Sequence, residues 1–354
     1  MAVQENMAVT PTNNGAWLNQ KLMSYKTITM DELVRRVPSH LPKHNLRDLI
    51  LDYPMRPGKG LRPALCISTC EAFGGYWRDA INSAVAIELF HNAFLVHDDI
   101  EDGSLLRRGH PTLHVKYGMP LALNAGDAMN VLTLRALLDN FGTLGIEKTQ
   151  LIFEEIEWMV LQSVEGQAIE LNWVENANWD LTVKDYRRMS LKKTGWYTCI
   201  TPCRIGAIIA GADFHTINAF NSFGYHLGIA FQIQDDILNL KGEQTLYGKE
   251  SGGDLWEGKR TVMLIHLLQN AERDERQRLI AILNKPRNEK EQEDTTWILE
   301  RMEHHDSIAF AKQIAWQHAN RSKEILRRRL NCIPESEAKA FLRAIVDYVV
   351  YREL

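Results

Sequence analysis

Apolar residues recur at three- and four-residue intervals through most of the chain, the period of amphipathic helices. The run DAINSAVAIELFHNAFLVHDDIED (79–102) keeps that period with no Pro or Gly until Gly103. TQLIFEEIEWMVLQSVEGQAIELNW (149–173) does the same, as does AFNSFGYHLGIAFQIQDDILNL (219–240), where glycines interrupt it. SEAKAFLRAIVDYVVYREL predicts a last amphipathic helix. Several of these segments are apolar on more than one face, which implies burial inside a bundle. Strand signals are sparse and no repeat of fixed period is present.

Four stretches break the pattern: PMRPGKGLRP (54–63), GSLLRRGHPTLHVKYGMP (103–120), KGEQTLYGKESGGDLWEGKR (241–260) and NKPRNEKEQEDTTW (284–297), the last reading as a solvated connector. Residues 1–15 read as a mobile tail. No shift in composition divides the remainder, so 16–354 is expected to be one large all-α domain.

At 354 residues and 45% apolar content the chain can bury a sizeable core. A net charge of −4 gives no bulk attraction for nucleic acid. The polar start MAVQENMAVTPTNNGAW lacks the basic flank and apolar core of a secretory signal. No long uninterrupted apolar run reads as a membrane span, since even AVAIELFHNAFLV contains Glu88 and His91. Five scattered cysteines argue for buried, reduced thiols and a cytoplasmic protein.

The chemistry concentrates where apolar helices end in acids. Asp98 and Asp102 are one helical turn apart and share a face, and Asp99 points elsewhere. A second run ends in Asp235 and Asp236, with Asn239 where a third acid could stand. Such carboxylates facing one another across a partly dry cavity need cations among them. An all-oxygen donor set favours Mg²⁺, which keeps waters and completes its shell with phosphate oxygens. A solvated, acid-rich helix end explains either motif alone, but two at the ends of buried helices fit a Mg²⁺–diphosphate site better. Basic residues cluster at Gly-rich turns: Lys59 and Arg62 in GKGLR, Arg107 and Arg108 after the first acids, Lys193 in KKTGW, Lys249 in YGKE, and Lys259 with Arg260 in EGKRT. Arginine offers a planar fork and lysine a point charge to phosphate oxygens. Two anionic groups are therefore expected, one held through metal and one by basic side chains alone.

From about residue 45 onward the chain resembles the trans-type isoprenyl diphosphate synthases, the polyprenyl synthetase family. The resemblance rests on GKGLRP, ELFHNAFLVHDDIEDGSLLRRGHPTLH, GQAIEL, KTG, FQIQDDILN and YGKESGGDLWEGKRT, in that order. It implies an all-α, single-domain orthogonal helical bundle around a central active-site cavity, the isoprenoid synthase fold. It also implies a homodimer and a Mg²⁺-dependent head-to-tail condensation of an allylic diphosphate with isopentenyl diphosphate. By the same resemblance Asp98, Asp102 and Asp235 would ligate Mg²⁺, supported by Asp99 and Asp236. Arg107, Lys193 and Lys259 would contact the allylic diphosphate. Lys59, Arg62, His91 and Arg108 would hold isopentenyl diphosphate. Thr194, Gln232 and Gln167 would line the reacting centre, with Lys249 among the substrate-binding residues. Asn239 departs from the Asp common at its position; activity is expected to survive with weaker metal affinity.

The growing chain should run from Asp98 toward the helix N-terminus, and the family resemblance implies that bulk at Phe94 and Ala93 sets the tunnel floor. One large and one small residue leave that floor half open and point to a C20 product, geranylgeranyl diphosphate, with farnesyl or longer products as alternatives. Met129, Leu132 and Leu134 of the next helix are candidates for the tunnel wall. A class I terpene cyclase is the rival enzyme, but DDILNLKGE lacks its second metal pattern and a cyclase has no use for a second diphosphate pocket. A non-catalytic subunit would be expected to have lost the acidic motifs.

Overall fold

The computed structural model describes residues 11–241 and 252–351, with side chains from 15 to 240 and from 252 to 351. Apart from turns and loops, the described chain is helical, with one two-stranded antiparallel ribbon. In order come α1 (Pro11–Arg36), α2 (Asp48–Met55), α3 (Leu61–Ala72), α4 (Trp77–Glu101), the ribbon β1 (Leu106–Arg107) and β2 (His110–Pro111), α5 (Leu113–Tyr117), α6 (Met119–Leu138) and α7 (Asn140–Glu175). Then follow α8 (Val183–Ser190), a π-helical segment (Leu191–Ile200), α9 (Thr201–Ala210), α10 (Phe214–Lys241), α11 (Gly253–Glu257), α12 (Val262–Asn270), α13 (Arg273–Leu283), α14 (Gln292–His304), α15 (Ser307–Arg328) and α16 (Glu337–Tyr351). No described helix is long and apolar enough to cross a membrane.

Helix α4 is buried along most of its length, as its all-round apolar pattern requires. It packs chiefly on α3 and α6. Helix α10 runs through two hydrophobic clusters. Phe220, Phe223 and Leu227 belong to the one built on α3, α4 and α9. Ile229, Ile233 and Ile237 belong to the other, shared with α12 and α15. The acidic ends of α4 and α10 are thus fixed by core packing rather than by loops.

Two glycines permit the approach of the π-helical segment. A Cβ on Gly166 of α7 would lie 2.1 Å from the Lys193 backbone nitrogen, and one on Gly228 of α10 would lie 2.7 Å from the Gly195 Cα. The segment carrying Lys193 and Thr194 is therefore clamped between α7 and α10. π-Helical turns mark functional sites more often than regular helix does.

The polar stretches carry more structure than their composition suggests. Within 103–120, Arg108 (φ 53°) and Gly109 (φ 78°) form the two-residue turn of the ribbon. Positive φ at both centres of a two-residue hairpin suits the twist of its strands, and Gly109 takes its place without steric cost. The expected solvated connector 284–297 contains a 3₁₀ turn (Arg287–Glu289) and the first residues of α14. Its cause is a reciprocal cap between Glu291 and Asp294. Buried Lys290 also donates to the Trp256 carbonyl at 2.8 Å. Four of the five cysteines are buried as expected, but Cys332 is exposed. Of the expected tail, residues 1–10 lie outside the described residues, and α1 begins at Pro11.

Candidate active site

One cavity of about 1140 Å³ collects the ends of α4 and α10, the ribbon, the π-helical segment and α11. Its polar end is lined by Asp98, Asp235, Asp236 and Asp254, and by Lys59, Arg62, Arg107, Arg108, Lys193 and Lys259. Its apolar end is lined by Phe90, Phe94, Leu95, Val131, Leu134, Val160 and Val164. His91, Gln167, Thr194 and Gln232 also face it. Lys249 lies outside the described residues.

The first acidic motif is divided between two environments. Asp99 is fully buried, accepts a 2.6 Å hydrogen bond from the Tyr53 hydroxyl, and takes the Arg107 Nε at 3.0 Å on each oxygen. Burial opposes the Arg107 charge, but Asp99 outweighs it and raises the pKa. Arg107 also reaches Asp98 at 3.4 Å. Asp98 accepts from the Lys193 ammonium at 2.9 Å, and Lys193 pairs with Glu170 as well. Lys259 reaches Asp102 at 2.6 Å and Glu257 at 3.0 Å. Burial raises the Asp102 carboxyl while the Lys259 ammonium pulls it back down. Both lysines are held charged, because their carboxylates outweigh burial.

The second motif is built differently. Asp236 is buried, accepts from the Tyr186 hydroxyl at 2.7 Å, and accepts from the Gln232 amide at 2.8 Å. Thr194 donates to the Gln232 carbonyl at 2.6 Å. Asn239 is buried, and its side-chain oxygen accepts the Asp254 backbone N–H at 3.0 Å. Its backbone carbonyl accepts Gly252 N–H at 2.8 Å. Asn239 thus ties the start of α11 to the end of α10 and sets the position of Asp254.

Across the cavity, Arg62 donates to Thr198 at 2.8 Å, contacts His91 Nε2 at 3.2 Å and stacks on Tyr197, its guanidinium carbon 4.3 Å from the ring centre. Burial, then Arg62 and Arg108, keep His91 well below the usual imidazole range, so it is neutral and accepts from Arg62. Burial pulls Arg108 to about 10, and it donates to the Tyr53 carbonyl at 3.1 Å. Lys59 is exposed at the cavity mouth. Glu88 is buried beside Arg108 and Arg62. The cations therefore form two groups, one interleaved with the aspartates and one facing them.

Among the expected tunnel residues, Phe94 lines the cavity, and Ala93 is fully buried outside its lining. Phe90, one turn below Phe94, supplies the next ring, their centroids 6.0 Å apart. On α6, Leu134 faces the cavity; Met129 is buried in the core, and Leu132 packs against it. Gln167 donates to Glu101 at 2.6 Å. Sequence reasoning misses Glu170, Tyr186 and Asp254 as site residues and reads Asn239 only as a lost charge. Glu170 and Asp254 do carry a signal, as acids of GQAIEL and YGKESGGDLWEGKRT, and Glu170 lies one helical turn from Gly166.

No three described carboxylate, imidazole or thiolate side chains converge closely enough to hold a metal by themselves. The oxygen-only donors facing the cavity still fit a Mg²⁺ ion that takes much of its shell from water and phosphate.

The family model for polyprenyl synthetase matches residues 44–302. The chain belongs to the polyprenyl synthetase family. It is 34% identical to the short chain isoprenyl diphosphate synthase of Methanothermobacter thermautotrophicus over 84% of this chain and 87% of that one. It is 34% identical to the geranylgeranyl diphosphate synthase of Saccharolobus solfataricus, over 83% and 86%. The crystal structure of geranylgeranyl pyrophosphate synthetase from Pyrococcus horikoshii superposes with a TM-score of 0.85 at 32% identity, covering 96% of this chain and 99% of that one. This polyprenyl synthetase family member shares the all-helical fold of its structural relatives.

Proposed function

We propose that the chain is a Mg²⁺-dependent trans-prenyltransferase that joins isopentenyl diphosphate to an allylic diphosphate, with geranylgeranyl diphosphate (C20) as its product. The observation that carries this is one cavity lined both by two groups of cations and by a set of apolar side chains. Bound Mg²⁺, held by Asp98, Asp102 and Asp235, would supply positive charge against the departing diphosphate.

The chain's own residues do the rest. Lys193, Lys259 and Arg107 hold the allylic diphosphate and stabilise the charge that develops on it as the C–O bond breaks. The leaving diphosphate takes the bonding pair and leaves an allylic cation. Arg62, Arg108 and Lys59 hold the second diphosphate, with neutral His91 setting the orientation of Arg62. Fixing the isopentenyl double bond beside the cation makes carbon–carbon bond formation effectively unimolecular. The proton lost from the adduct passes to the released diphosphate. The apolar walls exclude water that would otherwise hydrolyse the cation.

The C20 product is supported by the ring pair Phe90 and Phe94 at the apolar end. Self-association as a homodimer is supported by exposed Leu138, Phe141, Trp158 and Leu161 on α6 and α7, side chains that an isolated chain would leave in water.

A rate assay with an allylic diphosphate alone and with isopentenyl diphosphate added tests the reading against a cyclase. Diphosphate release that requires the second substrate and Mg²⁺ is expected. Rapid release from the allylic substrate alone, with a hydrocarbon product, would replace the proposal with cyclisation.

A further inference from the structure

Both aspartate pairs place their second member in the core, and each is held by a buried tyrosine. Tyr53 donates to Asp99 and Tyr186 donates to Asp236. The carboxylates then hold different groups. Asp99 grips the Arg107 guanidinium, a cation suited to a diphosphate. Asp236 grips the neutral amide of Gln232. The second arrangement serves a centre where an anion is not the species to be stabilised.

We propose that Tyr186 is a positioning residue for the reacting centre: by holding Asp236 it fixes the Gln232 amide and, through it, the Thr194 hydroxyl, so that oxygen lone pairs face the developing allylic cation. The proposal rests on the synthase reading above. The end of the Gln232 amide beside Asp236 is its NH₂, which donates to Asp236 at 2.8 Å. Its carbonyl oxygen then points the other way, where Thr194 donates to it at 2.6 Å. With its hydrogen used, the Thr194 oxygen presents lone pairs. Tyr186, Asp236, Gln232 and Thr194 all line the one cavity, so the relay ends at the space where the substrates meet. Dipoles fixed before the reaction stabilise charge far better in a water-excluded site than in water. A Gln amide with no such partner can turn over, which would aim N–H groups at a cation. A buried carboxylate left with one partner is costly, and Tyr186 supplies the second hydrogen bond.

The test is Tyr186→Phe, which removes one hydroxyl. The expected result is a kcat lower by about 10- to 100-fold, with KM for both diphosphates unchanged. Mn²⁺ affinity in the presence of inorganic diphosphate, read by electron paramagnetic resonance, should also be unchanged. In the Tyr186→Phe/Gln232→Leu pair the two losses should not multiply, because both break one relay. Asp236→Asn is measured beside it, since it keeps the volume but lets Gln232 pair in either sense; it should also lose kcat. An unchanged kcat in Tyr186→Phe, multiplicative losses, or a fall in Mn²⁺ affinity in Tyr186→Phe that matches the lost activity would overturn the proposal. A wild-type chain without turnover would remove the synthase reading itself, whereas an active wild type with an unaffected Tyr186→Phe removes only the role of Tyr186.

Discussion

The ammonium of Lys259 sits 2.6 Å from a carboxylate oxygen of Asp102, a residue 157 positions earlier in the chain. This contact closes the second half of the molecule onto the first acidic motif. Both side chains are largely buried. Lys259→Met removes the cation that acts most strongly against burial of the Asp102 carboxyl, and breaking a buried pair from one side costs about 3–5 kcal/mol. Urea unfolding of the metal-free protein should show that loss, and added Mg²⁺ with inorganic diphosphate should stabilise the variant less than the wild type, because Lys259 is one of the groups that hold the diphosphate.

Arg107 engages Asp99 through its fork, Nε lying 3.0 Å from both oxygens. Lysine keeps the charge but cannot reproduce two oriented N–H groups. Arg107→Lys should therefore lower kcat/KM for the allylic diphosphate by about 10- to 100-fold, measured at saturating isopentenyl diphosphate.

Asn239 acts through its acceptor oxygen on Asp254 N–H. Aspartate at this position retains an acceptor, and leucine does not. Asn239→Leu should unprotect the Asp254 amide in hydrogen exchange and weaken Mn²⁺ binding, while Asn239→Asp should keep the amide protected. Equal protection in both variants would show that the contact does not hold α11.

Phe90 and Phe94 present stacked rings at the apolar end of the cavity. Phe94→Ala should lengthen the product, and the double change with Phe90→Ala should lengthen it further, read by chromatography of the hydrolysed alcohols. An unchanged product from the double variant would place the floor elsewhere.

His226 and His318 meet Nδ1 to Nδ1 at 3.1 Å between α10 and α15. Burial pulls both imidazoles down, His318 to about 3; His226 acts further on His318, and Arg187 on both. An unfolded imidazole titrates near 6.5, so the folded state prefers these rings neutral. Their contribution to stability is complete above about pH 6.5 and falls as the pH drops toward 3, by at most about 1.4 kcal/mol per pH unit for each ring. His318→Gln should flatten the pH dependence of the melting temperature in that range.

The long helices were legible because their apolar period runs through uninterrupted stretches, and Asp98, Asp99, Asp102, Asp235 and Asp236 stood out because acids end those stretches. Other parts depend on contacts far apart in sequence. Nothing near Tyr186 announces that it meets Asp236, 50 positions away. Asn239 reads as a lost charge until its bond to the Asp254 backbone is seen. The placement of Ala93 off the cavity and of Phe90 on it follows from the rotation of α4 about its axis, which neighbouring packing sets. The turn at Arg108 and Gly109 is a local signal, RRGH, hidden within a stretch that reads as a plain connector.

The most direct test of the account is an incubation of the purified chain with Mg²⁺, labelled isopentenyl diphosphate and farnesyl diphosphate, with the product's chain length read out. A dominant C20 diphosphate that disappears on chelation of the metal is the predicted result. A folded protein that gives no elongation with this or any shorter allylic primer would contradict the central claim.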